Sequence, residues 1–407
     1  VRLLFEPSLV DDLLVRHADQ LEKDEFTKAL RPILGMGLLT NDGAPWKAQR
    51  KLLAPSFQPK HIAKFAEVMV QATEELVRTY GASQRRDVHA DMMGLTLNIV
   101  VRSLFGTDAV RTSEVSRLLE VTMDDYRRLA MSFRVAFPRW FPFVSRIRFR
   151  RMRTRLRNIV EEVIQKRRQA PLTDDMLSRL LEAKDDTGQG MSDEQLLDEC
   201  LTVMLAGHET TALALVFALD QLARRPDLQA LLGEEVQREL EGRNATWDDV
   251  PRLRLARAIV KETLRLFPPV WATGRVATLD FELGGVPVRR GTQLIVSPWI
   301  VQRDERWFTE PLRFRPERFL NGETDDLPKG AYFPFGAGPR FCIGYHFAEL
   351  EAALVLVTLY QRCAWARQTS APLRLAPSVT LRPATAVELG VQRKVQRETP
   401  KAGGEAA

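Results

Sequence analysis

One stretch limits the fold of this chain more than any other. From Cys200 to Leu222 it reads CLTVMLAGHETTALALVFALDQL and is apolar on nearly every side. Ser192 with Gln195 forms a capping-box signature, and Pro226 supplies a stop. Together they predict one helix over 193–225. At 1.5 Å per residue it would be roughly 50 Å long, enough to cross a whole domain. A helix without a polar face belongs in a bilayer or at the centre of a large core. His208 and Glu209 lie near its middle, where lipid would penalise them, so a buried core helix is expected.

The rest of the chain reads mainly as helix. Helical periods cover 9–18, 45–53, 61–80, 91–105 and 113–132. A proline-broken aromatic stretch follows at 133–143, read as a lid over a cavity or as a packed loop. Seven arginines then fall between Arg146 and Arg157. A solvated helix face explains them best, with contact to a membrane surface as the alternative. Strand composition and turn punctuation come late, at 273–277, 281–283, 286–288 and 293–297, with a possible hairpin within 373–391. The expected fold class is mainly α with a small β region. No repeat or linker divides residues 1–407, so a single catalytic domain is expected. The net charge is only +6, from 59 basic against 53 acidic residues, which gives no argument for nucleic acid as a partner.

The chemistry concentrates at one cysteine. The chain has three cysteines, with no C-x-x-C pair, so zinc ribbons, iron–sulfur clusters and a disulfide scaffold are disfavoured. A reducing compartment fits. Cys342 lies in FGAGPRFCIG, crowded by three glycines and a proline. A helix is expected to start near Ile343 and run to about Arg362, placing Cys342 at a helix N-terminus. Free N–H groups and the helix dipole there favour a thiolate. Gly338 and Gly344 would let the backbone turn tightly and approach a flat ligand. An ordinary buried cysteine accounts for one residue of this pattern and leaves the other nine unexplained.

That segment resembles the F-x-x-G-x-R-x-C-x-G signature of the cytochrome P-450 superfamily at every fixed position: Phe335, Gly338, Arg340, Cys342 and Gly344. The resemblance implies haem b (iron protoporphyrin IX) with Cys342 as its metal ligand, Phe335 beside the sulfur and Arg340 on a propionate. The thiolate would push electron density onto iron and favour O–O cleavage. Glu262 and Arg265 match the family's E-x-x-R, alone a common surface pair, and Arg318 lies in Pro316-Glu317-Arg318-Phe319. The family places these three in a buried charge cluster behind the cysteine loop. Trp46 and Arg50 match W-x-x-x-R, and Arg275 follows Pro269 by six residues; all three are implied on the propionates. Gly207, Glu209 and Thr210 match the oxygen-activation groove. There Thr210 would hold dioxygen and water, and Glu209 would relay protons. His346 reads as a surface residue on the cysteine side.

The implied activity is insertion of one oxygen atom of O2 into an apolar substrate. Electrons would come from a ferredoxin or flavodoxin-type donor with its reductase, docking near Lys47, Lys51 and His346. The alternatives are a peroxide-driven peroxygenase, a non-catalytic haem protein, or a helical scaffold without haem. Pocket positions expected by resemblance are 25–38, 129–137, Val203, Ala206, 270–273 and 378–381. They are largely apolar, as a lipophilic substrate requires, with a leaning toward fatty acids and alkanes. The family also implies a further N-terminal segment carrying strands of the main sheet. A cytoplasmic, soluble protein is expected, with a membrane anchor upstream of Val1 left open.

Overall fold

A computed structural model describes residues 1–106, 114–115, 117–119, 121–122, 144–369 and 371–394. The aromatic stretch 133–143, pocket positions 129–137 and most of 113–132 lie outside the described residues. The longer helices are α1 (Gly43–Leu53), α2 (Ala66–Arg78), α3 (Val88–Phe105), α4 (Val144–Arg168), α5 (Met176–Glu182), α6 (Asp193–Ala223), α7 (Pro226–Leu240), α8 (Arg254–Leu266) and α9 (Tyr345–Arg362).

α6 is the axis of the molecule. Ser192 Oγ accepts from the Gln195 N–H at 3.2 Å, satisfying one orphan donor of the first turn. The helix ends at Ala223, two residues before the expected stop, and Pro226 opens α7 instead. By length and apolarity α6 could cross a membrane. Its apolar run is buried in the core, with Leu213, Leu215, Val216, Phe217 and Leu219 fully covered. α3, α4, α8 and α9 pack around it. α3 is pinned to it by Thr96, whose hydroxyl donates to the His208 carbonyl at 2.8 Å.

The strands lie to one side. β1 (Arg2–Leu4), β7 (Gln293–Val296), β4 (Thr273–Ala277) and β2 (Leu21–Lys23) form one sheet in that order, with β1 parallel to β7 and the other pairs antiparallel. β5 (Phe281–Leu283) and β6 (Val286–Val288) make a hairpin closed by Gly284 and Gly285, both at positive φ. The 373–391 segment is more divided than expected. β9 (Leu375–Pro377) and β10 (Leu381–Pro383) form the hairpin. β11 (Glu388–Arg393) leaves it to sit between β3 (Ser83–Asp87) and β8 (Cys363–Arg367). The helical period over 61–80 is also interrupted, by a 3-10 turn at Ala63–Phe65. α4 carries exposed Arg148, Arg150 and Arg151. Further along, Arg155 turns to Glu114 and Arg157 to Asp198.

Candidate active site

Cys342 lies between a 3-10 turn at Gly338–Arg340 and the first turn of α9. Its N–H donates to the Phe335 carbonyl at 3.0 Å, which folds the loop back on itself. The ring of Phe335 stands edge-on to Tyr345, 4.9 Å between centroids. Gly338 has φ +65°, and a Cβ there would lie 2.1 Å from the Leu14 carbonyl oxygen. The glycine therefore allows close packing on the chain's own π-helical turn, Asp12–Arg16. Gly344 has ordinary φ; a Cβ there would sit 4.0 Å from the Cys342 Sγ. α9 starts at Tyr345, two residues later than expected, because Cys342–Gly344 are spent on the turn.

The thiolate expected at this helix start is met by two groups that favour it, and Cys342 is exposed to the cavity it lines. Desolvation by the surrounding loop raises the thiol, and the Gly344 N–H and the Arg50 guanidinium act in the opposite sense. A metal cation bound at the sulfur would keep the coordinated thiol deprotonated.

Cations gather beside the loop. Arg340 lies 3.7 Å above the buried Trp46 ring, donates to the Asn41 carbonyl, and pairs with Asp42 at 2.7 Å. Arg50, on α1 with Trp46, donates to the Phe341 carbonyl at 2.9 Å. Arg275 is buried on β4 and donates to Thr273 Oγ1 and the Gly274 carbonyl. Directly across the sheet in register stands Lys23, also buried. Sequence reasoning missed Lys23, because a lone lysine in a short strand carries no signal. Burial, then the charges of Arg275 and Arg340, push its ammonium well below the usual lysine value.

These groups open on a cavity of about 420 Å³ whose wall includes Cys342, Phe335, Arg275, Arg340, Lys23, Gly207, Glu209 and Thr210. Trp46, Arg50 and Gly338 are not among its lining residues and stand behind it. Of the pocket positions expected from sequence, Phe26, Leu30, Leu38, Val203, Ala206, Val270, Thr273 and Val379 line it. On the α6 side, Thr210 Oγ1 donates back to the Ala206 carbonyl at 2.8 Å. A Cβ on Gly207 would meet Val100 at 3.1 Å, so this glycine serves helix packing as well as the cavity. Glu209 is held by β10: its Oε1 accepts from Arg382 Nε at 2.8 Å and from the Thr380 hydroxyl. Thr380 falls within the pocket positions expected from sequence, and Arg382 does not.

Behind the loop, Glu262, Arg265 and Arg318 are brought together and almost wholly buried. Glu262 receives Arg265 at 2.7 and 2.8 Å, Arg318 at 3.2 Å and the Arg315 N–H at 2.8 Å. Arg265 then donates to the Gln302 and Pro311 carbonyls at 2.7 Å each. The cluster fixes the segment that leads into the cysteine loop. His346 is exposed. Lys47 and Lys51 are exposed too, but each faces an acid, Asp19 at 2.8 Å and Asp186 respectively.

The residues present fit haem. Cys342 offers one sulfur to the cavity, and no group of three or more His, Cys, Asp or Glu that could hold a bare ion exists among the described residues. Lys23 and Arg275, both buried, and the half-buried Arg340 put three cations on the wall against Asp24 and Asp42. Uncompensated buried charge is costly, and two carboxylates of a bound ligand are what would compensate it.

Known proteins agree. The family model described as Cytochrome P450 matches residues 1–389. The chain is 34% identical over 386 residues to Cyclooctatin synthase of Streptomyces melanosporofaciens, covering 94% of this chain and 84% of that protein. It is 32% identical to Cyclooctat-9-en-7-ol 5-monooxygenase of the same organism, covering 93% and 81%. Pentalenene oxygenase of Streptomyces avermitilis is 32% identical, covering 82% and 75%. The fold, the cysteine loop and these matches together make the chain a haem-thiolate monooxygenase belonging to the cytochrome P450 family.

Proposed function

We propose that this chain, acting as a single catalytic domain in the cytoplasm, oxygenates a cyclic terpene hydrocarbon or terpene alcohol, with electrons from a ferredoxin or flavodoxin-type donor and its reductase. The observation that carries the reading is that Cys342 and the Gly207–Thr210 segment of α6 line one cavity whose remaining wall is largely apolar. The relatives named for an alkene and for an alkene alcohol support terpenes over the fatty acids and alkanes suggested by sequence. Three free cysteines support the reducing interior of a cell.

Haem bound through Cys342 supplies dioxygen binding and its reductive activation. The rest falls to side chains. Lys23, Arg275 and Arg340 hold the propionates, with Trp46 stacked under Arg340 and Arg50 bracing the loop at Phe341. Gly207 leaves room on α6 for a small ligand. The Thr210 hydroxyl, now given to the Ala206 carbonyl, can turn to hold a proton donor at the cavity. Glu209 keeps a carboxylate one residue away, its charge balanced by Arg382, so proton traffic through it requires that ion pair to loosen.

The test is direct. Reduced, haem-supplemented protein with carbon monoxide is expected to show the red-shifted Soret band of thiolate ligation, and Cys342→Ser to lose it. Turnover with a ferredoxin system is then scored on cyclic terpenes against fatty acids of similar size. A preference for the fatty acids would overturn the substrate class.

A further inference from the structure

The cavity wall carries three polar groups that the oxygen chemistry does not use. Glu199 and Thr202 precede Val203, Ala206, Gly207 and Thr210 on the same face of α6, at spacings of three and four residues. Ser103 comes from α3 alongside. All three line the cavity, and all are at least nine-tenths buried: Glu199 0%, Ser103 1% and Thr202 6% exposed. Glu199 Oε2 accepts from the Leu38 N–H at 3.0 Å, but its Oε1 has no partner, nor do Thr202 Oγ1 and Ser103 Oγ. Native interiors rarely leave such groups unsatisfied, and each that stands alone asks for a reason.

From these positions we infer that Glu199, Thr202 and Ser103 form an anchor for the hydroxyl group of an otherwise apolar substrate. An alcohol both donates and accepts one hydrogen bond, which suits two hydroxyls and a carboxyl that each do the same. An amine suits the site less well. It needs the carboxyl ionised, whereas burial and the neighbouring charge of Asp198 push Glu199 up to about 7. Asp198 offers no second carboxylate to the ligand, being engaged by Arg157 at 2.8 Å and by the Met36 N–H at 2.8 Å.

The spacing adds regiochemistry. Glu199 and Thr210 are eleven residues apart on one helix, roughly 16 Å along its axis. A substrate held at the anchor presents its far end to the oxygen site. The favoured substrate is then an alcohol supplied by an earlier hydroxylating or hydrating enzyme, and the new oxygen enters remote from the first. This deepens the terpene reading and rests on it for the carbon skeleton only.

Spectral titration of the haem-loaded protein tests it with two matched series. One is farnesol, farnesyl methyl ether and farnesene; the other is dodecanol, methyl dodecyl ether and dodecane. The alcohol should bind about tenfold more tightly than its ether or hydrocarbon, the worth of one or two net hydrogen bonds. Thr202→Val with Ser103→Ala should erase that preference while the hydrocarbon binds as before, and Glu199→Gln should keep part of it. The carbon monoxide spectrum of each variant checks that the site is intact. Alcohol preference in the dodecyl series alone supports the anchor and removes the terpene skeleton. Dissociation constants within twofold across both series, or variants that weaken all ligands equally, overturn the anchor. So does failure of every probe to bind.

Discussion

Glu262→Gln isolates the electrostatics of the buried cluster with almost no change of shape. The glutamine keeps one acceptor oxygen, so the Arg315 N–H at 2.8 Å can still be met. The charge is lost, and an NH2 group is turned toward the Arg265 guanidinium. Arg265 and Arg318, 0% and 1% exposed at their side chains, are left without their shared carboxylate. Glu323, 3.7 Å from Arg318, is the remaining acid and is partly solvated. Removing one partner of a buried ion pair costs about 3–5 kcal/mol. A chain of 407 residues, at about 2.1 cal/mol/K per residue, unfolds with an entropy of roughly 0.85 kcal/mol/K. The midpoint should therefore fall by about 4–6 °C, read by circular dichroism and by the Soret band together. The exposed Arg289–Asp280 pair serves as the control, since Arg289→Ala should cost under about 0.5 kcal/mol and move the midpoint by less than about 1 °C. If Glu262→Gln shifts the midpoint by no more than that control, buried charge is not what holds this segment, and the reasoning fails.

Three more outcomes are expected. Thr210→Ala should keep cofactor reduction but divert electrons to peroxide, lowering product per reducing equivalent by about tenfold; unchanged coupling would remove Thr210 from proton handling. Glu199, raised to about 7 from the usual 4.5, holds its proton in the fold where the unfolded chain has released it. Its contribution is fully present below about pH 4.5 and lost as pH rises through about 7, a span of about 3 kcal/mol. Glu199→Gln should thus be more stable than the parent at pH 8 by roughly 3–4 °C and nearly equal to it at pH 4.5. A pH-independent difference would count against a buried neutral carboxyl. Lys47→Glu with Lys51→Glu should slow partner-driven turnover several-fold at low salt, with peroxide-driven turnover unaffected. Because each lysine already faces Asp19 or Asp186, the effect should shrink sharply as salt screens it.

Sequence resolved what is local and left out what distant chain segments bring together. The cysteine loop, the long helix and the late strands could be read because spacing, capping and turn residues act within a few positions. β4, β5 and β6 fall on the residues expected. Lys23 could not be read, because its meaning comes from pairing in register with Arg275 and from the charge of Arg340. The hold of Arg382 on Glu209 spans 173 positions, so the ion pair at this carboxylate could not be read from its neighbours in sequence. The surroundings of the cysteine were legible only in part for a related reason. A helix start is visible in sequence, but the Arg50 guanidinium that faces the cysteine comes from α1, 291 positions before Phe341.

Residues 7–16 pack directly against the segment that leads into the cysteine loop. Gly338 rests on the carbonyl of Leu14, and Gly330, earlier in the same segment, rests on that of Pro7, where a Cβ would come within 2.2 Å. Neither position has room for a side chain, so residues 7–16 and the segment leading to Cys342 can pack this closely only through glycine. An alanine at either glycine would consequently have to push the two segments apart, and the absorption of the bound haem is where that would register first.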